Sequence, residues 1–259
     1  FTDDDFQPAI EQGIAIVLAG AQAIAANPEA PTFENTLVAM ETSGAMLSRV
    51  LSVFGQVQGA NTNDKLDAVQ SAIAPKMAAM RDEIYLDDKL FARVKALHDG
   101  RAAMTLTPEQ AMLLDVSYAE FVHRGALLTP AQKDQLRTMN GRIAELETAF
   151  SQKLTEATAA KNPVFDTKAE LAGLSDAQIA AAAKRATDKG MPGKYMLALI
   201  NTTQQPALTQ LTNRASRKKL FEASINRTSG GDSHDTTAII AETAELRANK
   251  AALLGQPDF

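Results

Sequence analysis

The stretch PTFENTLVAMETSGAMLSRVLSVFGQVQGANTND, from Pro31 to Asp64, decides how the chain is read. Phe33, Leu37, Met40, Gly44, Leu47, Leu51 and Phe54 follow one another at alternating spacings of four and three, which puts them on one helical face. Pro31 pre-sets the backbone entering the helix, and Glu34 falls in the first turn, where the helix dipole favours an anion. Gly59 and the run Asn61-Thr62-Asn63-Asp64 bring turn and cap residues to the far end. The spacing predicts one long amphipathic helix with a buried face, inside a helical domain.

Composition agrees. The chain has 259 residues, of which 45% are hydrophobic but only 5% aromatic, and it contains no tryptophan. Its core must therefore be aliphatic, and the abundance of Ala and Leu favours helices. A net charge of −5 without a cluster of Lys and Arg gives no nucleic-acid footprint. Zero cysteines exclude disulfides, thiolate nucleophiles and thiolate metal sites. No uninterrupted apolar run approaches the ~20 residues that span a bilayer, so no membrane segment is expected. The start, Phe1-Thr2-Asp3-Asp4-Asp5, has neither a signal peptide nor an initiator Met and is expected to be processed or cut, which leaves the compartment undetermined.

Working outward, Asp3–Asp5 are candidate caps for a first helix through Ile10, Ile14 and Val17 to about Ala26. Beyond Asp64, Leu66, Val69 and Ile73 lead to Pro75, a kink or a new start, and the pattern continues through Met80, Ile84, Leu90 and Leu97 to Gly100. Thr107-Pro108-Glu109-Gln110 and Thr129-Pro130-Ala131-Gln132 each combine a Thr cap, a first-turn proline and a Gln three residues on. They predict an antiparallel helical hairpin connected by Gly125–Leu128. Pro163-Val164-Phe165 and Lys194–Ile200 read as two short strands around an Ala-rich helix begun by Ser175 and Gln178. Helices around Ala207–Asn213 and Ser216–Arg227, a Gly-rich loop, and a last helix from Asp235 to Leu253 complete the chain. The expected fold is mainly α: a helical shell or bundle of long antiparallel helices, with a small two-stranded β element near 163–201, in one domain over 1–259.

The chemistry inventory is sparse. None of His98, His123 and His234 begins an H-E-x-x-H. His98 and His123 sit at helix ends, where a cation complements the dipole. The run Asp232-Ser233-His234-Asp235 has the residue types of a triad, but adjacent side chains diverge, so capping by Ser233 or Asp235 is the expected role. Gly230-Gly231 lacks the Lys-Ser/Thr of a phosphate loop. Glu145/Glu147, Asp87/Asp88 and the basic group Arg214, Arg217, Lys218 and Lys219 read as solvated helix faces. No catalytic, cofactor-binding or metal residue is assigned.

Three stretches resemble the N-terminal part of bacterial peptidyl-dipeptidases (dipeptidyl carboxypeptidases), in the thimet-oligopeptidase family of zinc metallopeptidases. They are Asn27–Asp64, with PTFENT, Ser43-Gly44, LSRV and ANTND; Leu199–Arg227, with LINTTQQPAL and NRASRKKLFEASINR; and HDTTAIIAETAELRANKAALLGQP from His234. Phe121–Leu154 is similar in character. Thr237 departs from the pattern, since relatives tend to carry Arg there. The resemblance implies a helical shell of two halves around a channel, with zinc, H-E-x-x-H and the remaining catalytic side chains in a C-terminal catalytic domain beyond this sequence. It implies that this chain forms one wall of the channel, works with that domain in cis on short peptide substrates, and by itself holds no zinc and hydrolyses nothing. The alternative is a self-sufficient helical peptide-binding or scaffold protein.

Overall fold

A computed structural model describes residues 2–258. They form two compact units: one from the described residues of Phe1–Thr148 and Thr243–Phe259, the other from Ala149–Glu242. The fold is mainly α with one two-stranded antiparallel sheet, as the sequence predicts.

In the first unit a 3-10 turn at Asp3–Asp5 leads into α1 (Phe6–Ala25). Phe6, Ile10, Ile14 and Val17 of α1 are buried against Leu47 and Phe54, and against Leu66, Val69, Ile73 and Met80. Gly13 makes the α1 crossing close, because a Cβ there would lie 3.0–3.1 Å from Leu47.

The Pro31–Asp64 stretch is helical, but it is not one helix. It opens as a π-helical turn, Phe33–Val38, capped reciprocally by Thr32 and Asn35. It continues as α2 (Ala39–Ser43), breaks at Gly44, and resumes as α3 (Ala45–Asn61). The wider π turn and the break shift the helical phase, so the predicted stripe divides. Phe33 and Leu37 enter a second core cluster, while Leu47 and Phe54 enter the first. Sequence spacing alone cannot register such a phase shift.

Asp3–Ala25 and Phe33–Asn61 also pass a length-and-composition test for crossing a membrane, against the expectation drawn from uninterrupted runs. Their Gln, Glu, Ser and Thr interrupt the runs without lowering the average enough to fail it. In the structure the apolar faces of α1 and α3 pack on each other.

α4 (Asp64–Tyr85), capped by Asn63, runs through Pro75 without stopping. The predicted continuation to Gly100 is broken at Leu86, where Asp87 accepts from Leu90 N at 2.6 Å and caps α5 (Asp88–Gly100). Asp87 is thus a helix cap, and its partner in the expected solvated pair, Asp88, binds Lys133. The same ammonium, 4% exposed, donates to Leu86 O at 3.0 Å, meeting a carbonyl left over at the end of α4. Both predicted Thr/Gln boxes close, at the starts of α6 (Pro108–His123) and α7 (Pro130–Ala160). Leu90, Phe91, Val94 and Leu97 pack with Leu114, Phe121, Ile24, Phe33 and Leu37 in the second cluster.

Arg93 of α5 joins these pieces. Its guanidinium donates to Asn27 O and Glu29 O, both at 2.9 Å, and to Asn35 Oδ1 at 2.8 Å. It is only 7% exposed, so it fixes the link between α1 and the π turn from inside. Replacing Arg93 by Ala should cost about 3 kcal/mol, since it removes a buried side chain and three charge-assisted hydrogen bonds that tie α5 to this link. Arg93→Lys should recover less than half, because a single ammonium nitrogen replaces the planar fork whose two terminal nitrogens reach the three oxygens. Urea unfolding of the three proteins checks both values.

In the second unit, β1 (Val164–Phe165) pairs with β2 (Tyr195–Met196), with Val164 opposite Met196. The predicted strand Lys194–Ile200 shrinks to these two residues, although Leu197 N still reaches Pro163 O and Leu199 N reaches Asn162 Oδ1. α8 (Asp176–Asp188) starts at the predicted Ser175–Gln178 box. α9 (Asn201–Gln210) begins six residues earlier than Ala207, with Pro206 tolerated inside it, and α10 (Arg214–Ile225) follows an Asn213 cap. α11 (Thr237–Leu253) begins in this unit. Phe165, Leu171, Ile179, Leu197, Leu199, Leu211 and Leu220 form its core.

Gly173 holds φ at +100°, and a Cβ there would stand 2.1 Å from Gln210 O. It lets the turn after Leu171 press on the end of α9, where Thr212 N donates to Ala172 O at 2.8 Å. Gly173→Ala should therefore lower stability by about 3 kcal/mol or more, combining positive-φ strain with a clash. A thermal melt showing less than half of that loss would contradict the packing described.

Candidate functional site

A charged concavity lies in the first unit, between α4, α7 and α11. It encloses about 190 Å³ and is lined by Arg81, Asp82, Arg124, Asn140, Glu147 and Lys250, with small apolar side chains between them. Asp82 reaches it because it stands about 160° round α4 from Leu66, on the side opposite the first core cluster. It is 8% exposed, and Asn140 Nδ2 donates to its Oδ1 at 2.7 Å.

Burial raises the Asp82 carboxyl above the ordinary carboxylate range, against the opposing pull of Asn140, Lys250, Arg137 and Arg124. Burial likewise lowers the Lys250 ammonium, with Asp82 the strongest opposing influence. At the rim, Arg124 is held by Glu120 at 2.8 Å and lies 4.6 Å over the Tyr85 ring. Burial first, and then Glu120, push the Tyr85 phenol up. Glu147 binds Arg247 at 2.6 Å. The cavity lining has no Ser, His or Cys, and it brings Asp82 of α4 and Lys250 of α11 into one charged clasp.

A second concavity of about 470 Å³ adjoins the start of α5, with Gln22, Glu83, Asp87, Asp88 and Arg137 on its walls. Three of its charged groups are committed locally: Asp87 caps α5, Asp88 meets Lys133, and Arg137 meets Asp134.

The residues singled out in the sequence do not converge. The His98 ring stacks on Tyr118, with centroids 3.8 Å apart, beside Asp115 and Asp99. His123 lies in the last turn of α6. His234 stands 4.0 Å from Glu156 and 3.8 Å from Asp232, and Asp232 is paired with Lys161. Asp235 accepts from Gly231 N and Thr237 N, the capping role expected of it. Among the described residues no three His, Asp or Glu side chains group as metal ligands.

The basic group is only partly the solvated face expected of it. Arg217 donates to Leu211 O and Thr212 O, and Lys219 donates to Val164 O and lies over the Phe165 ring. Of the expected carboxylate pairs, Glu145 meets Arg142 on α7. Sequence reading missed Asp82 because its neighbours Asn140 and Lys250 come from helices far along the chain. The one available signal was a carboxylate placed opposite a helix's apolar stripe but four residues after Ala78.

No family model matches the chain. It is 41% identical to the dipeptidyl carboxypeptidase of Escherichia coli (strain K12) over 254 residues, which is 98% of this chain and 37% of that protein. It is also 41% identical to the dipeptidyl carboxypeptidase of Salmonella typhimurium, over 99% of this chain and 38% of that protein. Oligopeptidase A of Salmonella typhimurium is 23% identical over 97% of the chain. These likenesses bear out the resemblance drawn from the sequence: the chain fits part of an enzyme of the thimet-oligopeptidase family. It spans 37–38% of the length of these two dipeptidyl carboxypeptidases.

The clasp itself makes a testable statement. A carboxyl whose folded pKa is raised binds its proton more tightly in the folded state. Its stability contribution is full below the ordinary carboxylate pKa and is lost as pH rises through the raised one. Asp82→Asn, which keeps the shape and cannot ionise, should raise the melting temperature at pH 7 by about 2–4 °C. The gain should disappear below about pH 4, where the wild-type carboxyl is protonated as well. Melting curves between pH 3 and 8 decide it; a gain unchanged across that range would mean that ionisation is not the cause.

Proposed function

We propose that this chain is the N-terminal, channel-forming part of a longer zinc metallopeptidase that releases dipeptides from the C-termini of short peptides. The observation that carries the reading is 41% identity to a dipeptidyl carboxypeptidase over 98% of the chain, while only 37% of that protein is matched. The matched portion supplies a helical wall, and the chemistry belongs to the remainder.

The described residues do not fit a zinc centre. His98 is stacked on Tyr118, His234 stands beside Glu156 and Asp232 in the other unit, and no ligand group assembles. No step of peptide hydrolysis is therefore assigned to residues of this chain. On this reading the metal, the activated water and the general base come from a C-terminal catalytic region in cis. Excluding folded proteins from a channel requires only stable walls, which the three aliphatic clusters and the buried cations provide.

The complete gene product should release dipeptides from a short peptide with a free C-terminus. Release should fall by at least tenfold with a chelator and return with zinc. The segment 1–259 should release none. Chelator-insensitive release, release by the segment alone, or none by the complete product would each overturn the proposal.

A further inference from the structure

We infer that the outer face of α10 is the seat of a segment from outside these 259 residues, one that is apolar with an acidic end. The inference rests on the reading of the chain as part of a longer peptidase. Arg214, Lys218, Phe221 and Ile225 are spaced four, three and four apart, so they form one narrow stripe along the helix. The opposite face, with Ser216, Leu220 and Ser224, is buried in the unit's own core. On the outer stripe Phe221 is 50% exposed and Ile225 57% exposed. Two large apolar side chains thus meet water one turn apart at one end of the stripe.

The charges on the stripe are also unexplained by this unit. Cations in the first turns of a helix oppose its dipole, and α10 has no acidic residue in its first turn. Arg217 and Lys219 are accounted for by the carbonyls they bind. Lys218 has a carboxylate within 4 Å only from Glu222 of its own helix, at 3.6 Å, and Arg214 lies exposed beside it. A segment with carboxylates over Arg214 and Lys218, and apolar side chains over Phe221 and Ile225, would satisfy both halves of the stripe.

Size favours a tethered occupant over a second copy of the chain. Two side chains form a patch far smaller than the roughly 800 Å² per partner of a stable interface between separate molecules. A tethered segment needs no such area, because its effective concentration is set by the chain that carries it. The dipeptidyl carboxypeptidases that match here extend well beyond the matched region, which covers 37% and 38% of them.

The test uses the complete gene product with photoreactive benzoylphenylalanine in place of Phe221. After irradiation, peptide mapping by mass spectrometry should find the principal cross-link within one molecule, to a peptide outside these 259 residues. Cross-links between two copies, cross-links confined to these residues, or none would overturn the inference. Dipeptide release measured on the same preparation separates the two readings. Release without the expected cross-link discards only the α10 seat, whereas a product lacking further chain or release discards the peptidase reading as well.

Discussion

The first unit depends on one guanidinium. A helix end leaves carbonyls without partners, and an irregular link leaves more. Between α1 and the π turn the chain passes Asn27-Pro28-Glu29, too short a link to satisfy itself. Arg93 arrives from α5 and gives Asn27 O, Glu29 O and Asn35 Oδ1 their hydrogen bonds. Asn27 lies just beyond the C-terminal end of α1, where the helix dipole favours a cation, so these neutral oxygens stabilise a buried charge. Asn35 is bound twice over, since it also closes the capping box with Thr32. The entry angle of the π turn, and hence the placement of Phe33 and Leu37, follows from that one side chain.

The same arrangement recurs along the chain and explains where its positive charge goes. Lys133 caps the end of α4 at Leu86 O, and Arg101 binds His98 O at the end of α5. In the second unit Arg185 binds Met196 O, Arg217 binds Leu211 O, and Arg227 binds Ser224 O and Leu199 O. Each long cation lays its alkyl stem on apolar surface and delivers N–H groups where the backbone lacks them. A protein with an aliphatic core and many helix ends needs many such donors.

What the sequence disclosed and what it hid follow from the range of the interactions involved. The boxes at Thr107, Thr129 and Ser175 are closed by residues three positions away, so the starts of α6, α7 and α8 were legible. The break at Leu86 was hidden because its cap, Asp87, stood in a pair of aspartates that reads equally well as a wet surface. The π turn was hidden because its first residues keep a four-residue spacing that an α-helix would also show. The start of α9 was missed because Asn201-Thr202-Thr203 looks like a turn until Ile200, extended before it, is seen to be the cap position. Asp82 and Arg93 were illegible for a different reason. Their partners lie 58 to 66 positions away in sequence, and nothing local distinguishes them from surface charges.

These two residues and the α10 stripe invert the usual rule in opposite directions, and the inversions differ in cost. A buried ion with good partners is tolerable because its acceptors or donors are fixed by helices that would pack there in any case. Arg93 meets that condition through its two terminal nitrogens, while its Nε is buried without a partner. Asp82 meets it partly, since one Asn and distant cations do not offset its desolvation and its proton is held more tightly instead. An exposed Phe or Ile has no such internal remedy, because only another surface can remove it from water. Buried charge in this chain is therefore met, fully or in part, by groups of the fold itself, whereas the apolar side chains of the α10 stripe are left facing water.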